Sequence, residues 1–328
     1  MKILSFETSC DETAAAIVQN GRTVLSSVVA SQIDAHAVFG GVVPEIAGRM
    51  HMQCIAQVYA QCLEQANLTL DDIDAIAVTH APGLVGALLV GLNFAKGLAY
   101  ATGKPLIAVH HLRAHVAANY LTHSALEPPF LCLIASGGHT HIVHVKNYTT
   151  FTIIGKTRDD AAGEALDKTA RMLGLPYPGG MHLDKLGEGG NPKAYSFPRP
   201  KVDGVDFSFS GLKTAARNTI FNAQHAMPCQ DFAASFQQAV ANYLCDNTLR
   251  AANELGCQTI ALAGGVCANS VLRKEMQERC AAKQIDLFMP ELRWCGDNAA
   301  MVGAQAFFEH HAGNVASKTL NALPNCPI

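Results

Sequence analysis

The strongest constraint in this sequence is a duplicated pattern. Residues 2–30, KILSFETSCDETAAAIVQNGRTVLSSVVA, read as three strands joined by tight turns, and Asn20-Gly21 marks the second turn. Pro44 then opens an amphipathic helix running to about Ala66. A buried strand AIAVTH, a Pro-Gly turn, a helix from Leu84 to about Thr102, the strand PLIAVHH and a further helix complete the first unit. The pattern restarts at PFLCLIASGGHTHIVHVKNYTTFTIIGKT, again strand, turn, strand, turn, strand. Helices follow at Gly163 to Leu173 and Asp231 to Leu255. TIALAGGVCANSVLRKEM then gives strand, Gly-Gly turn and helix, DLFMP a last strand, and Asp297 to His311 a closing helix. A βββαβα(β) unit used twice predicts an α/β protein of two mixed sheets covered by helices. The segment from Tyr177 to Arg199, rich in Gly and Pro, reads as irregular.

Composition narrows the classes. The chain has 328 residues, 49% hydrophobic and 16% charged, enough for two cores. A net charge of -3 and a pI near 6.5 mean that any nucleic-acid partner must be met by a local basic patch or by a helper protein. The 11 cysteines are scattered without a CxxC pair, and KILSFETS alternates like a strand, so reduced thiols, no leader and a cytoplasmic location are expected. The longest uncharged stretch, Ala81 to Ala95, is short and Gly-rich, so no membrane span is expected.

Two turns occupy equivalent places in the two halves, ETSCDET (Glu7 to Thr13) and ASGGHT (Ala135 to Thr140). Turns built from Ser, Thr and Gly expose backbone N–H groups and hydroxyls that suit phosphates. A third, LAGGVCAN, feeds a helix N-terminus, which favours an anion or polar ligand. IAVHHLRAH carries a separate signal. On a helix, His111 and His115 at i and i+4 share one face, a geometry that a divalent transition metal can use. Two histidines do not fill a coordination sphere, so a third ligand must come from elsewhere in the chain.

Taken together, FETSCDETAAAIV, GGVVPEIAGRMH, PGLVGALLVGLNFAKGLA, ASGGHT, DDAAGEALDKTARMLGLPYPGG, FSFSGLKTA, LAGGVCAN and GDNAAM resemble the TsaD/Gcp family of tRNA N6-adenosine threonylcarbamoyltransferases. That family has the duplicated actin, Hsp70 and sugar-kinase fold. The resemblance implies two actin-like (RNase H-like) domains with a nucleotide and metal cleft between them. The first is expected over residues 1–115, with the closing segment 297–328 packing back on it. The second is expected over 116–296, with an irregular insertion near 176–230.

The resemblance implies a metal held by His111, His115 and Asp297, with Fe²⁺ as first choice and Zn²⁺ as the alternative. It implies transfer of a threonylcarbamoyl group from L-threonylcarbamoyladenylate to N6 of the adenosine 3′ of the anticodon, in tRNAs reading codons that begin with A, with release of AMP. Ala135, Ser136, Gly137, Gly138 and His139 would lie against the acyl-phosphate. Asp167, Gly180, Asp184 and Asn269 would lie around the ribose and adenine. The N6 amine is a weak nucleophile, so a base would help, and Asp11 and Glu12 are the candidates, Asp11 first. Implied partners are tRNA, an inactive actin-like paralogue (TsaB-type) and a small P-loop ATPase (TsaE-type), with the helix starting at VVPEIAGRMH as the paralogue's docking surface.

Lys193, Arg199, Lys201, Lys213 and Arg217, set against Asp203 and Asp206, form the most basic stretch and a possible tRNA surface. One departure matters. Many relatives carry Glu between the two histidines where this chain has Arg113. A metallopeptidase of the HExxH kind needs that Glu as base, so this alternative is disfavoured. The other alternative, an ATP-dependent sugar or acyl kinase, gives the three metal ligands no reason to meet.

Overall fold

The computed structural model describes residues 1–222 and 228–328. The first half runs β1 (Lys2–Glu7), β2 (Glu12–Gln19), β3 (Thr23–Ser31), α1 (Ile33–Ala37), α2 (Pro44–Ala66), β4 (Ala75–Ala81), α3 (Val85–Thr102), β5 (Leu106–His110) and α4 (His111–Thr122). The second runs β6 (Phe130–Ala135), β7 (Thr140–Asn147), β8 (Thr150–Lys156), α5 (Ala162–Met172), α6 (Gly179–Gly187), α7 (Ser210–Asn222), α8 (Cys229–Leu255), β9 (Thr259–Ala263), α9 (Ser270–Ala282), β10 (Asp286–Phe288) and α10 (Ala299–His311).

The duplication is real. One sheet has the order β3-β2-β1-β4-β5 and the other β8-β7-β6-β9-β10. In both, the first strand pairs antiparallel with the second and parallel with the fourth, and the fourth pairs parallel with the fifth. The chain forms two compact units. One holds Met1–Pro128, Asn147–Thr150 and Pro290–Ile328, and the other Pro129–Lys146 and Phe151–Met289.

In the first unit the period-two alternation of β1 decides what faces what. Leu4 and Phe6 join Ile55, Val58, Leu88 and Leu92 in a core shared with α2 and α3. Ile3 lies on the opposite face with Ala114, Ala118, Met301 and Val302 of α4 and α10. Ser5 is also on that face, and its hydroxyl donates to the Ala299 carbonyl at 2.7 Å. Helix α10 can lie this close because residue 303 is Gly, where a Cβ would fall 2.7 Å from Val18. Glu7 is next in this alternating row and is completely buried.

Three expectations need adjustment. The segment from Tyr177 to Arg199 is not wholly irregular, because Gly179–Gly187 is helical and buries Leu183. A break at residue 115 would cut α4, which continues to Thr122, and the first unit extends to Pro128. The closing helix starts at Ala299, since Asn298 is its N-cap and accepts from the Met301 N–H at 2.9 Å. Past α10 the chain is a strap. It is held by Ala316 N–H to the Leu106 carbonyl, Leu323 N–H to the His80 carbonyl and Gly83 N–H to the Pro324 carbonyl. By length and composition alone α3 is apolar enough to cross a membrane, and it packs Ala87, Leu88, Leu92 and Ala95 into the unit.

Candidate metal centre and donor turns

Strand β5 ends where α4 begins, so the sequence delivers three histidines at one junction. His110 is the N-cap of α4, and its Nδ1 accepts from the Leu112 N–H at 3.2 Å. His111 opens the first turn, and His115 follows one turn later on the same face, the two rings 4.6 Å apart at 79°. Asp297 immediately precedes the N-cap of α10. Its Oδ1 lies 3.1 Å from His115 Nε2 and 3.6 Å from His111 Nε2.

These three ligand atoms all lie within 4.8 Å of one another. Tetrahedral bonds of about 2.1 Å to N and O place neighbouring ligand atoms roughly 3.4 Å apart. His115 supplies the test of fit. Its side chain is fully buried, yet neither ring nitrogen has a hydrogen-bond partner, and the 3.1 Å approach to Asp297 lacks hydrogen-bond geometry. The atoms converge on a common point rather than bonding pairwise, and two imidazoles with one carboxylate suit a divalent transition metal.

A fourth group completes the site, and sequence reasoning missed it. Glu7 Oε2 lies 3.1 Å from His111 Nδ1 and accepts from the Thr79 hydroxyl at 2.7 Å, while Oε1 accepts from the Ser9 N–H at 2.5 Å. Burial alone would raise the Glu7 pKa, but the adjacent His111 outweighs it and holds the carboxyl below its ordinary range. For His111, burial opposes the charge, but Asp297 and Glu7 carry it up to about 9. The available signal was the alternation of KILSFE, which puts Glu7 on the inward face with Ile3 and Ser5. Arg113 points to other work, its guanidinium lying 3.3 Å from Glu309 of α10.

The ETSCDET turn is pressed into α3 by Thr8, whose Oγ1 donates to the Ala87 carbonyl and accepts from the Gly91 N–H. Asp11 is buried, and burial raises its pKa above the usual carboxylate range. Burial also lifts Glu12, to about 7, against the opposing hydrogen bond from Ser31. The second oxygen of Glu12 is buried without a hydrogen-bond partner. Burial raises the Cys10 thiol far above its usual range, which disfavours the thiolate.

In the second unit, Ser136 and His139 close the ASGGHT turn on each other. The Ser136 N–H donates to the His139 carbonyl at 2.8 Å, and the His139 N–H to Ser136 Oγ at 3.2 Å. Gly137 and Gly138 have open space where a Cβ would be, so the turn can be approached closely. Gly264, at φ +93, backs onto this turn, where a Cβ would fall 2.4 Å from the Ala135 carbonyl oxygen. Asp167 accepts from the Gly180 N–H at 2.8 Å, so these two expected site residues meet. Asp184 and Asn269 also meet at the start of α9. Asp184 accepts from both the N–H and the hydroxyl of Ser270, and Asn269 caps the helix through Leu272. Asn269 also donates to Gln237 Oε1 at 2.6 Å, and Gln237 is a buried residue of α8 that the sequence did not mark.

The basic stretch is weaker than its sequence count. Lys213 is ion-paired with Asp160, and Arg199 with Asp246 at 2.9 Å. Lys193, Lys201 and Arg217 are exposed, and among the described residues none of them forms an ion pair.

The model of the TsaD family, tRNA N6-adenosine threonylcarbamoyltransferase, matches residues 23–304. A tRNA N6-adenosine threonylcarbamoyltransferase from Clostridium botulinum (strain 657 / Type Ba4) is 52% identical over 333 residues, covering 100% of this chain and 98% of its own. One from Clostridium novyi (strain NT) is 53% identical over 334 residues, with the same coverage. Among solved structures, HypF from T. kodakarensis superposes with a TM-score of 0.65 at 16% identity, over 97% of this chain and 48% of that one. An ROK hexokinase from Thermus thermophilus gives 0.53 at 16%, over 95% and 100%. The structural likenesses show the actin-like fold alone, while the full-length identities carry the activity, threonylcarbamoyl transfer to N6 of adenosine in tRNA. The chain belongs to the TsaD family of tRNA N6-adenosine threonylcarbamoyltransferases.

Proposed function

We propose that the chain transfers the threonylcarbamoyl group of L-threonylcarbamoyladenylate to N6 of the adenosine 3′ of the anticodon in tRNAs reading codons that begin with A, with His111, His115 and Asp297 as its metal ligands. The convergence of these three side chains on one buried point carries the reading. In the reaction, N6 forms a bond to the carbamoyl carbon, the bond from that carbon to the phosphate oxygen breaks, AMP leaves, and a proton leaves N6. When bound, a divalent cation supplies positive charge that eases departure of the phosphate. Fe²⁺ is the metal proposed, with Zn²⁺ fitting the same ligands.

On the second unit, the backbone of Gly137 and Gly138, at the tip of a turn closed by Ser136 and His139, cradles the acyl-phosphate, next to the N-terminus of α5. Gly163 at that terminus donates to the Ser136 carbonyl. Asp167 with Gly180, and Asp184 with Asn269, bind the ribose and adenine. For the base, Glu12 has better support than Asp11. A carboxyl held at about 7, with one buried oxygen lacking a partner, is matched to proton uptake near neutral pH. The exposed cations Lys193, Lys201 and Arg217 contribute to tRNA binding. Lys213 and Arg199 contribute less, since Asp160 and Asp246 already neutralise them.

The outward face of α2, where Met52, Gln53, Ala56 and Gln57 are exposed, is the proposed seat of an inactive actin-like paralogue. A small P-loop ATPase is the other proposed helper. The compartment proposed is the cytoplasm, in keeping with 11 free cysteines. The test is incorporation of labelled threonine into tRNA, with a synthase supplying the adenylate. Labelling by the wild type and its loss in Glu12→Gln, with Asp11→Asn less affected, is the expected result.

A further inference from the structure

The geometry points to Glu7 as the positioning residue of the metal centre: it holds the His111 ring so that Nε2, and not Nδ1, faces the point shared with His115 and Asp297. The inference rests on the metal reading above and adds to it a device on the far side of the ligand.

Glu7 has no exposed surface and lies at the end of β1, so its carboxylate is enclosed by the protein. It is surrounded by donors. The Ser9 N–H meets Oε1 at 2.5 Å, and the Thr79 hydroxyl meets Oε2 at 2.7 Å. His111 Nδ1 lies 3.1 Å from the same Oε2. An ionised carboxylate only accepts, so His111 Nδ1 must carry the proton and donate it. A metal takes the place of any proton on Nε2, so in the metal-bound ring the one remaining N–H is the Nδ1–H given to Glu7 and the ligating lone pair is on Nε2. That atom is the one 3.6 Å from Asp297 Oδ1. A ligating histidine whose other nitrogen donates to a carboxylate is fixed in orientation and more basic toward the metal. The second ligand, His115, has no such partner on either nitrogen, so the restraint acts on His111 alone.

Glutamine at this position has the shape of glutamate but cannot satisfy the same donors. Its amide on the Oε1 side would face the Ser9 N–H. Its amide on the Oε2 side would make His111 Nδ1 an acceptor, moving the ring proton to Nε2 and blocking the ligand. Either arrangement weakens the centre while the fold of β1 is kept.

The experiment uses the full chain, Zn²⁺ as the diamagnetic probe, calorimetric titration for affinity, and ¹⁵N spectra of histidine-labelled protein for the tautomer. The wild type is expected to bind one Zn²⁺, with His111 coordinated through Nε2 and protonated at Nδ1. Glu7→Gln is expected to weaken binding by roughly 10- to 100-fold and to lose the pure Nδ1–H signature. If the wild type binds no Zn²⁺, or His115→Ala binds as tightly as the wild type, the metal reading falls and the role of Glu7 falls with it. If His115→Ala abolishes binding while Glu7→Gln keeps both wild-type affinity and the Nδ1–H signature, the role of Glu7 alone is overturned. Should Glu7→Gln fail to fold, the wild-type spectrum decides. Coordination through Nδ1 would overturn the inference, and coordination through Nε2 supports it.

Discussion

A buried imidazole with neither nitrogen hydrogen-bonded costs free energy unless something else takes a lone pair. His115 is in that state, 3.1 Å from a carboxylate oxygen. His115→Ala is therefore expected to abolish metal binding and transfer while leaving the far-ultraviolet circular dichroism unchanged. Full metal stoichiometry in the variant would remove His115 from the site. Its neighbour His110 makes a pH prediction. Burial holds His110 down at about 4 from an ordinary 6.5, while its bond to the Cys326 carbonyl works the other way. The folded chain thus keeps this ring neutral at a pH where the unfolded chain takes a proton. The stability contributed is complete above pH 6.5, falls as the pH drops from 6.5 to about 4, and changes no further below that. The full effect is at most roughly 3 kcal/mol. Urea midpoints measured from pH 7 to 4 should fall more steeply for the wild type than for His110→Gln, and parallel curves would contradict this.

Elements bring the site residues together, and single residues at element ends fix the register. Asn298 stops α10 one residue short of Asp297 and caps it. Asn298→Ala should cost about 1 kcal/mol of stability and weaken metal binding without touching a ligand. Thermal unfolding and a metal titration check both, and a loss of stability with unchanged affinity would free Asp297 from its cap. In the second unit, Gly264→Ala would place a Cβ 2.4 Å from the Ala135 carbonyl oxygen at a φ of +93. Lost stability of about 1–3 kcal/mol and weakened adenylate binding are expected, measured by urea unfolding and calorimetry. Most strands and the long helices were legible in the sequence, because β1 alternates, β6 is a continuous apolar run that stops at a Ser-Gly-Gly turn, and α2 repeats with a helical period between Pro44 and Asn67. Helix α6 was not, because its Gly-Gly start and short length look like a turn. Of the candidate metal cluster, the spacing of His111 and His115 was legible by itself, while Asp297 came only through the family resemblance. Glu7 was missed because a carboxylate in a strand looks like a solvent-facing residue until the helices on that face are known. The ion pair of Lys213 was not legible because its partner Asp160 lies far back in sequence.

At the scale of the molecule, duplication supplies two turn-bearing sheets of one topology, and divergence assigns them different work. The first carries the candidate metal ligands at β5-α4 and before α10, and the second carries the glycine turns at β6-β7 and after β9. With a net charge of -3, the chain alone should bind tRNA weakly and with strong salt dependence. Reversing the unpaired cations in a Lys201→Glu, Arg217→Glu double variant should weaken tRNA binding. It should also lower the slope of log K against log salt by about one for each phosphate no longer neutralised. Adenylate binding should not change. Unchanged tRNA affinity and slope would place the tRNA path elsewhere. The most direct test of the central claim is mass spectrometry of nucleosides from a tRNA reading a codon that begins with A, incubated with the chain, its helper proteins and threonylcarbamoyladenylate. Wild-type protein should yield N6-threonylcarbamoyladenosine with one AMP per modified residue, and His115→Ala should yield neither. Equal product from both proteins, or none from the wild type, would contradict it.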